Sequence, residues 1–520
     1  MFLRTALILP LLILCSTVAA QSATQKGGTR VEILNADEWS FDERIAPGAQ
    51  RLRGNVRFKH ADALMFCDSA YLYSDQRLDA FGRVRILQGD TLEMTGQRLR
   101  YLGNERTARL EGNVMLRNPD IELTAPSLDY DLRNKTGVYT DGGRIESCRD
   151  ENVLTSRKGT YFSETRSFIF SRKVRIEHPE RIITTDTMHY ATATGISSFF
   201  GPTRIRQLAD NSELNTRRGT YDTRLEKARF TRRSSILSQG RLLQGDTLYY
   251  DRLTGLGRAW GNVSMTDTSG ELVVRGKHGS YNDRTERSMI TGRAELVMLM
   301  DGDSLFLHGD TLFTRPDVRM DSTGTTTTHR QILARRNVRF FKSDMQGVCD
   351  TLVYSDADSL LHMFHRPALW SGNDQITGEH IRITMRNGAP HLLHVMRDAF
   401  LMSQADSTNF DQVTGNSMVG YFAEGVLKRI LTEGNARTVY FARETKNGKE
   451  ELMGMNRADC SRIAVGLSDG QVSTVTFMER PDAVLYPMNR IPPEELRMKG
   501  AVWRIEERPM DRAGIFARRE

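Results

Sequence analysis

Apolar and polar residues alternate along almost the whole chain. Leu78, Ala80, Gly82, Val84 and Ile86 share one face, with Asp79, Arg83 and Arg85 on the other. Leu110, Gly112, Val114 and Leu116 repeat the pattern against Glu111, Asn113 and Arg117. A period of two belongs to a half-buried strand. Turn residues bound the runs at Ser74-Asp75, Gly103-Asn104, Asn118-Pro119-Asp120 and Asn134-Lys135. Helical periodicity is nearly absent, and Pro493-Glu-Glu-Leu-Arg-Met498 is the one credible helical turn.

The alternation repeats at a longer period. Leu52-Arg-Gly-Asn-Val-Arg-Phe58 is echoed by Ala80-Phe-Gly-Arg-Val-Arg-Ile86 and Leu110-Glu-Gly-Asn-Val-Met-Leu116, so that Gly54, Gly82 and Gly112 step by 28 and 30 residues. A second motif interleaves: Cys67-Asp-Ser, Gly89-Asp-Thr-Leu92, Asp186-Thr-Met188, Gly245-Asp-Thr-Leu248, Gly309-Asp-Thr-Leu312 and Cys349-Asp-Thr-Leu352. Each unit reads as two strands. A glycine inside a strand costs stability unless the chain bends there or another group comes close. One at the same place in each repeat predicts strands bent at a common point. The expected fold is therefore all-β: an elongated β-jellyroll, or folded-over solenoid, of about 30-residue two-strand repeats.

The spacing slips near the polar run Asp321-Ser-Thr-Gly-Thr-Thr-Thr-Thr-His-Arg330. The expected organisation is a signal peptide at 1–20, an N-terminal jellyroll at 21–300, an insertion or soft boundary at 301–335, a C-terminal jellyroll at 336–490, and a basic, flexible tail at 491–520. Met1 to Ala20 has Arg4, an apolar stretch and Val18-Ala19-Ala20 as a small-residue cleavage site, which reads as a cleaved secretory signal. Leu14 before Cys15 is too bulky for a lipidation site. Cys67, Cys148, Cys349 and Cys460 remain, and their spacing selects no pairing.

Composition narrows the field further. The 520 residues are 39% apolar and carry 72 Lys+Arg against 65 Asp+Glu, a formal charge of +7. That surplus is too slight to single out nucleic acid, and no such partner is expected. The aspartates Asp68, Asp90, Asp186, Asp246, Asp310 and Asp350 stand one per unit with no second carboxylate at loop spacing, so they read as turn formers bonding backbone amides rather than calcium ligands. His362 with His365, and His391 with His394, lie on no helix and have no glutamate base, and they read as strand or surface histidines. No nucleophile elbow, phosphate loop or dinucleotide fingerprint occurs. No catalytic residue, metal site or cofactor is expected, and the chain reads as a non-enzyme.

The ordered Leu-x-Gly-Asn-Val and Gly-Asp-Thr-Leu units behind a signal peptide resemble the OstA/LptA family of lipopolysaccharide-transport proteins. More closely, the chain is similar to the long OstA-like proteins of Bacteroidetes-type bacteria, through Arg336-Asn-Val-Arg-Phe-Phe-Lys-Ser-Asp-Met-Gln-Gly347, Leu369-Trp-Ser-Gly-Asn373 and Phe410-Asp-Gln-Val-Thr-Gly415. The chain is far longer than the bridging proteins typical of the family. The resemblance implies a periplasmic, or outer-membrane-associated, jellyroll that holds the acyl chains of lipid A and passes them towards the outer membrane.

On that reading the lipid contacts are the inner-face residues Val56, Phe58, Leu78, Val84, Ile86, Leu110, Val114, Leu116, Phe168, Phe170, Val174 and Ile176. A packed core and an open groove produce the same alternation, so both stay open. The expected partners are lipopolysaccharide and other lipopolysaccharide-transport proteins joined by end-strand pairing, with head-to-tail self-association through the first strand, Val31 to Leu34. The alternatives are a structural or protein-binding spacer and a carbohydrate-active β-solenoid enzyme.

Overall fold

A computed structural model describes residues 30–518 apart from 42, 45–46, 149–150, 269, 301, 321–323, 447–448 and 469–470. The signal segment 1–20 lies outside the described residues. Backbone contacts divide the chain into two units, Met1–Gly137 and Val138–Glu520. Both are built from antiparallel strands, and in the described residues the only helical pieces are four short 3-10 turns in the last 33 residues.

In the first unit the strands Ala49–His60, Ala63–Tyr73, Arg77–Gln88, Leu92–Leu102, Thr107–Arg117 and Ile121–Asp131 each pair with the next. The register slips in the middle of each pair. Arg53 faces Ser69 and Val56 faces Cys67, so Gly54 and Asn55 stand opposite the single residue Asp68. Two residues against one is a β-bulge, which bends the strand. Gly54 and Asn55 take left-handed angles (φ +74° and +44°), as do Gly82 with Arg83 and Gly112 with Asn113.

The two sequence motifs meet at this bend. Asp68 sits on the strand before Gly82, and a Cβ on Gly82 would come 2.4 Å from its Oδ2. Arg83 Nε donates to the same carboxylate at 2.9 Å. Asn55 Nδ2 donates to Asp37 at 2.8 Å and Asn262 Nδ2 to Asp246 at 2.7 Å. The glycine is required by both its angle and its neighbour. Asp68, Asp246 and Asp310 thus work at mid-strand corners and accept from side chains of the following strand, and Asp186 and Asp350 accept from the hydroxyls of Thr187 and Thr351 beside them, not from turn amides as the sequence suggested. Asp90 departs from the set and lies in the tight turn before Leu92–Leu102.

The second unit continues the scheme through Ser167–His178, Arg181–Ala191, Ile196–Gln207, Glu213–Asp222, Lys227–Ser238, Arg241–Asp251 and Leu256–Asp267. The expected seam at 301–335 is instead a long hairpin, Asp303–Met320 paired with Thr326–Lys342, which carries the sheet on without a break. Thr326, Thr327 and Thr328 of the threonine-rich run open its second strand, where solvent-facing threonines suit an extended backbone.

The basic tail is not loose. Residues 491–518 cross the outer face of the second unit as a strap. Gln412 accepts from the Met498 amide (2.9 Å) and donates to the Leu496 carbonyl (2.8 Å). Gln375 treats Arg504 and Val502 in the same way, and Gln346 receives the Arg508 guanidinium. Arg512 grips Glu295 at 2.6 Å, and Phe516 packs beside His308. These anchors stand on two cross-strand rows two residues apart, Glu295–His308–Arg339–Val348 and Phe341–Gln346–Trp370–Gln375–Met402–Gln412. The strap explains why alternation gives way to unbroken burial at Met345–Cys349, Ala368–Ser371 and Ala399–Ser403.

Beside the second of these rows Asp374 is almost wholly buried, and its Oδ1 has no partner. Burial pushes its carboxyl up to about 7, with Asp411 adding to the effect. An unfolded aspartate titrates near ~4. The folded state therefore holds this proton more tightly. The contribution is complete below about pH 4 and is lost as the pH rises through about 7. Asp374→Asn should remove that slope, so its melting temperature should gain on the native protein between pH 5 and pH 8 (~5 to ~8, spanning the titration), as read by thermal melts. Parallel pH profiles for the two proteins would contradict this.

Cys67 and Cys349 are buried in strands, Cys148 is exposed, and no disulfide joins described residues. Burial pushes the Cys67 thiol up to about 12.

Candidate functional site

The bent strands place two arms face to face with the apolar side of each inward. All twelve inner-face candidates are buried. In the first unit they form rows that cross the strands, one of which runs Phe58–Met65–Ile86–Met94–Leu116–Leu123. Val56, Leu78, Val84, Leu110 and Val114 fill the same interior at 2% exposure or less. This stretch is a packed core. The strand ends are laced across its open edge: the His60 ring nitrogen lies 2.6 Å from the Tyr101 hydroxyl, and Gln88 donates to the Leu132 carbonyl at 2.9 Å.

The second unit differs. Phe168, Phe170 and Val174 are packed, and Ile176, at 9%, begins a row that continues as Ile183–Ile205–Leu214–Ile236–Leu243–Met265. The facing arm presents Ser197–Tyr221–Ala228–Tyr250–Gly257–Tyr281. Small residues between the tyrosines leave the aliphatic row without partners to fill the gap. A cavity of about 210 Å³ results, lined by residues of both arms. Sequence reading missed its core, since an aliphatic row looks the same whether or not it is covered. The usable signal was the alternation of tyrosine with Ala228 and Gly257 at inward positions.

The cavity's rim is polar, with Arg181, Arg241 and Arg252 set among Asp210, Glu213 and Asp283. Arg252 bridges the strand ends, donating to Glu180 at 2.7 Å and Glu226 at 3.0 Å. Arg241 donates to the Glu286 carbonyl at 3.3 Å and lies over the Tyr281 ring. Arg181 lies over Tyr221, and the Tyr250 hydroxyl donates to Asp283 at 2.7 Å. The hydrogen bond from Arg252 holds the Glu180 carboxyl below its usual range. Burial, followed by the bond to Asp283, raises the Tyr250 phenol, which stays neutral. An apolar slot with three guanidiniums at its lip suits a ligand with an aliphatic part and an anionic head.

The histidines form no expected pair. His362 meets His380 with ring nitrogens 3.0 Å apart, both stacked on Phe364. Among the described residues no group of three or more His, Cys, Asp or Glu is placed to hold a metal.

Comparison with solved structures returns LptH of Pseudomonas aeruginosa, described as the LptA-homologous periplasmic component of a lipopolysaccharide transport device. It is 13% identical, and the alignment spans 28% of this chain and 95% of that one at a TM-score of 0.21. Comparison with curated proteins returns no match. Residues 28–186 match the family model described as OstA-like protein. Over that segment, less than a third of its length, the chain is similar to the OstA-like family.

Proposed function

We propose that the chain is a non-enzymatic lipopolysaccharide-transport protein of the periplasm, which holds lipid A acyl chains between the arms of its folded sheet. The match of residues 28–186 to the OstA-like family model supports the pathway. The observation that carries the seat is the unfilled apolar slot between Ile183–Met265 and the tyrosine row, with Arg181, Arg241 and Arg252 at its lip for a phosphate. The seat lies in the second unit, whereas most of the residues singled out from the sequence belong to the packed interior of the first. Burying an acyl chain there gains ~25 cal/mol per Å² of apolar surface.

Partners join by strand addition at the first strands, Glu32–Asn35 and Glu38–Phe41. These pair with Ala49–His60 on one side only and expose Leu34, Trp39 and Phe41. The packed interior of the first unit supports a second reading, in which that unit is a spacer.

Photo-crosslinking from inward positions in living cells tests the seat. A crosslinker at Ile236 or Leu243 should capture lipopolysaccharide, and one at Leu110 should not. Equal capture at all three, or none at Ile236 and Leu243, overturns the assignment.

A further inference from the structure

The outer side of the bend carries a second feature, apart from the acyl seat. A groove of about 650 Å³ runs along it between residues 173 and 244. It crosses six strands, a length of roughly 24 Å at the usual strand spacing. Lys173, Arg175, Arg204, Arg217 and Arg233 line it, and no carboxylate does.

The groove lies where the corner motif is partly replaced. Most other corner pairs keep a glycine or an asparagine, as in Gly54-Asn55, Gly82-Arg83, Gly112-Asn113, Gly261-Asn262 and Arg336-Asn337, and several face an aspartate such as Asp37, Asp68 or Asp246. Here two pairs are Arg172-Lys173 and Arg232-Arg233, with Arg172, Lys173 and Arg232 in the same left-handed backbone, while Gly201-Pro202 between them keeps its glycine against Asp186. Between Asp186 and Asp246 the single corner position falls to Arg217, where the strand register skips.

Charge follows the motif. Residues 167–251 hold fourteen Lys and Arg against nine Asp and Glu, a surplus of five, while residues 49–131 hold twelve of each. In that balanced stretch many outward arginines have carboxylate partners, as in Arg83–Asp68, Arg85–Glu93, Arg98–Glu111 and Arg117–Glu122, though among the described residues Arg51, Arg53 and Arg57 have none. In the groove Arg175 pairs with Glu177 and Arg204 with Glu213, and Arg233 lies 3.6 Å from Asp246. Among the described residues Lys173 and Arg217 have no ion-pair partner. A groove lined by five cations and no carboxylate focuses positive potential.

We infer that this groove binds a phosphate-bearing polyanion, with Lys173 and Arg217 as the free contacts and the arginines beside them as secondary donors. Guanidinium forks and an ammonium donate charge-assisted hydrogen bonds to phosphate oxygens. The phosphates could belong to a lipid headgroup or to a soluble ligand.

The test uses the whole protein and a variant that restores the chain's own corner motif, Arg172→Gly with Lys173→Asn and Arg217→Asp. Gly-Asn and Asp already occupy equivalent corners, so the fold should be kept, as circular dichroism and thermal melts will show. The control, Lys428→Glu with Arg429→Glu, removes the same four charges from exposed positions on another strand. The probes are inositol hexakisphosphate, by calorimetry, and phosphatidylglycerol against phosphatidylcholine vesicles, by flotation. The native protein should bind the hexakisphosphate, the corner variant about tenfold or more weakly, and the control within about twofold. Vesicle capture that needs the same residues assigns the phosphates to a lipid headgroup; hexakisphosphate binding alone assigns them to a soluble ligand. No binding of either anionic probe by the native protein, or equal losses in the variant and the control, overturns the inference. Inner-face crosslinking is a separate readout, so the groove and the acyl seat can fail independently.

Discussion

A chain ending at residue 490 should lose most of the stability of the second unit's C-terminal strands. The strap lies on Gln346, Gln375, Met402 and Gln412 on the outer side of the sheet, and each of these is nearly inaccessible in the intact protein. Removing it strips Met498, Ala501 and Trp503 from the cluster of Phe400, Met402 and Phe410. It also takes Ile515 from a fully buried site. Glu295, 5% exposed in the intact protein, would keep Arg275 as its partner and lose the two bonds from Arg512. Burial alone raises that carboxyl, and it is the arginines that hold it below its usual range. Several apolar side chains at ~2 kcal/mol each put the loss on the order of 5 kcal/mol or more. The truncated protein should melt well below the native one and bind a hydrophobic dye through the uncovered strip. An unchanged melt with no dye binding would show that the strap is incidental.

The strap also shows where sequence reading stopped. Seven Lys and Arg between Arg497 and Arg519 made the tail look solvated. Yet Trp503, Ile515 and Phe516 are interspersed among them, and the matching signal lay far away in the sheet, in neutral Gln346, Gln375 and Gln412 at outward positions where other strands carry charge. Such a match joins positions 84 to 217 residues apart, and no local period reports it. The bend was legible because it is local. Gly82 and Asp68 lie 14 residues apart in a repeated register, and the glycine has a steric reason to recur. The inner face was legible for the same reason, since alternation fixes which side is buried. Whether that side is filled depends on the facing arm. Leu110 and Leu243 read alike in sequence, but Leu243 faces a row thinned by Ala228 and Gly257.

That difference sets apart two substitutions of the same kind. Val114→Asp places a carboxylate in the closed interior of the first unit, beside Ala125 on the next strand. Nothing there can pair with it, so the residue must be buried as the neutral acid or the repeat must open. The expected result is a loss of several kcal/mol, with exposed hydrophobic surface and a lower melting temperature. Ile236→Asp sits between Leu214 and Leu243 on the wall of the slot and is only half-buried. The cavity admits water, and Arg241 lines the same space. That carboxylate can remain hydrated, so the β signal in circular dichroism should persist. Lipopolysaccharide binding should fall tenfold or more, because an acyl chain laid there would desolvate the charge (about 1.4 kcal/mol per factor of ten). Measured together, the pair separates the seat from the core. Fold lost at 114 and kept at 236, with binding lost at 236, places the lipid in the second unit. Fold kept at both, with binding lost only at 114, would move the seat to the first unit and leave the slot between Ile183 and Met265 without a lipid role.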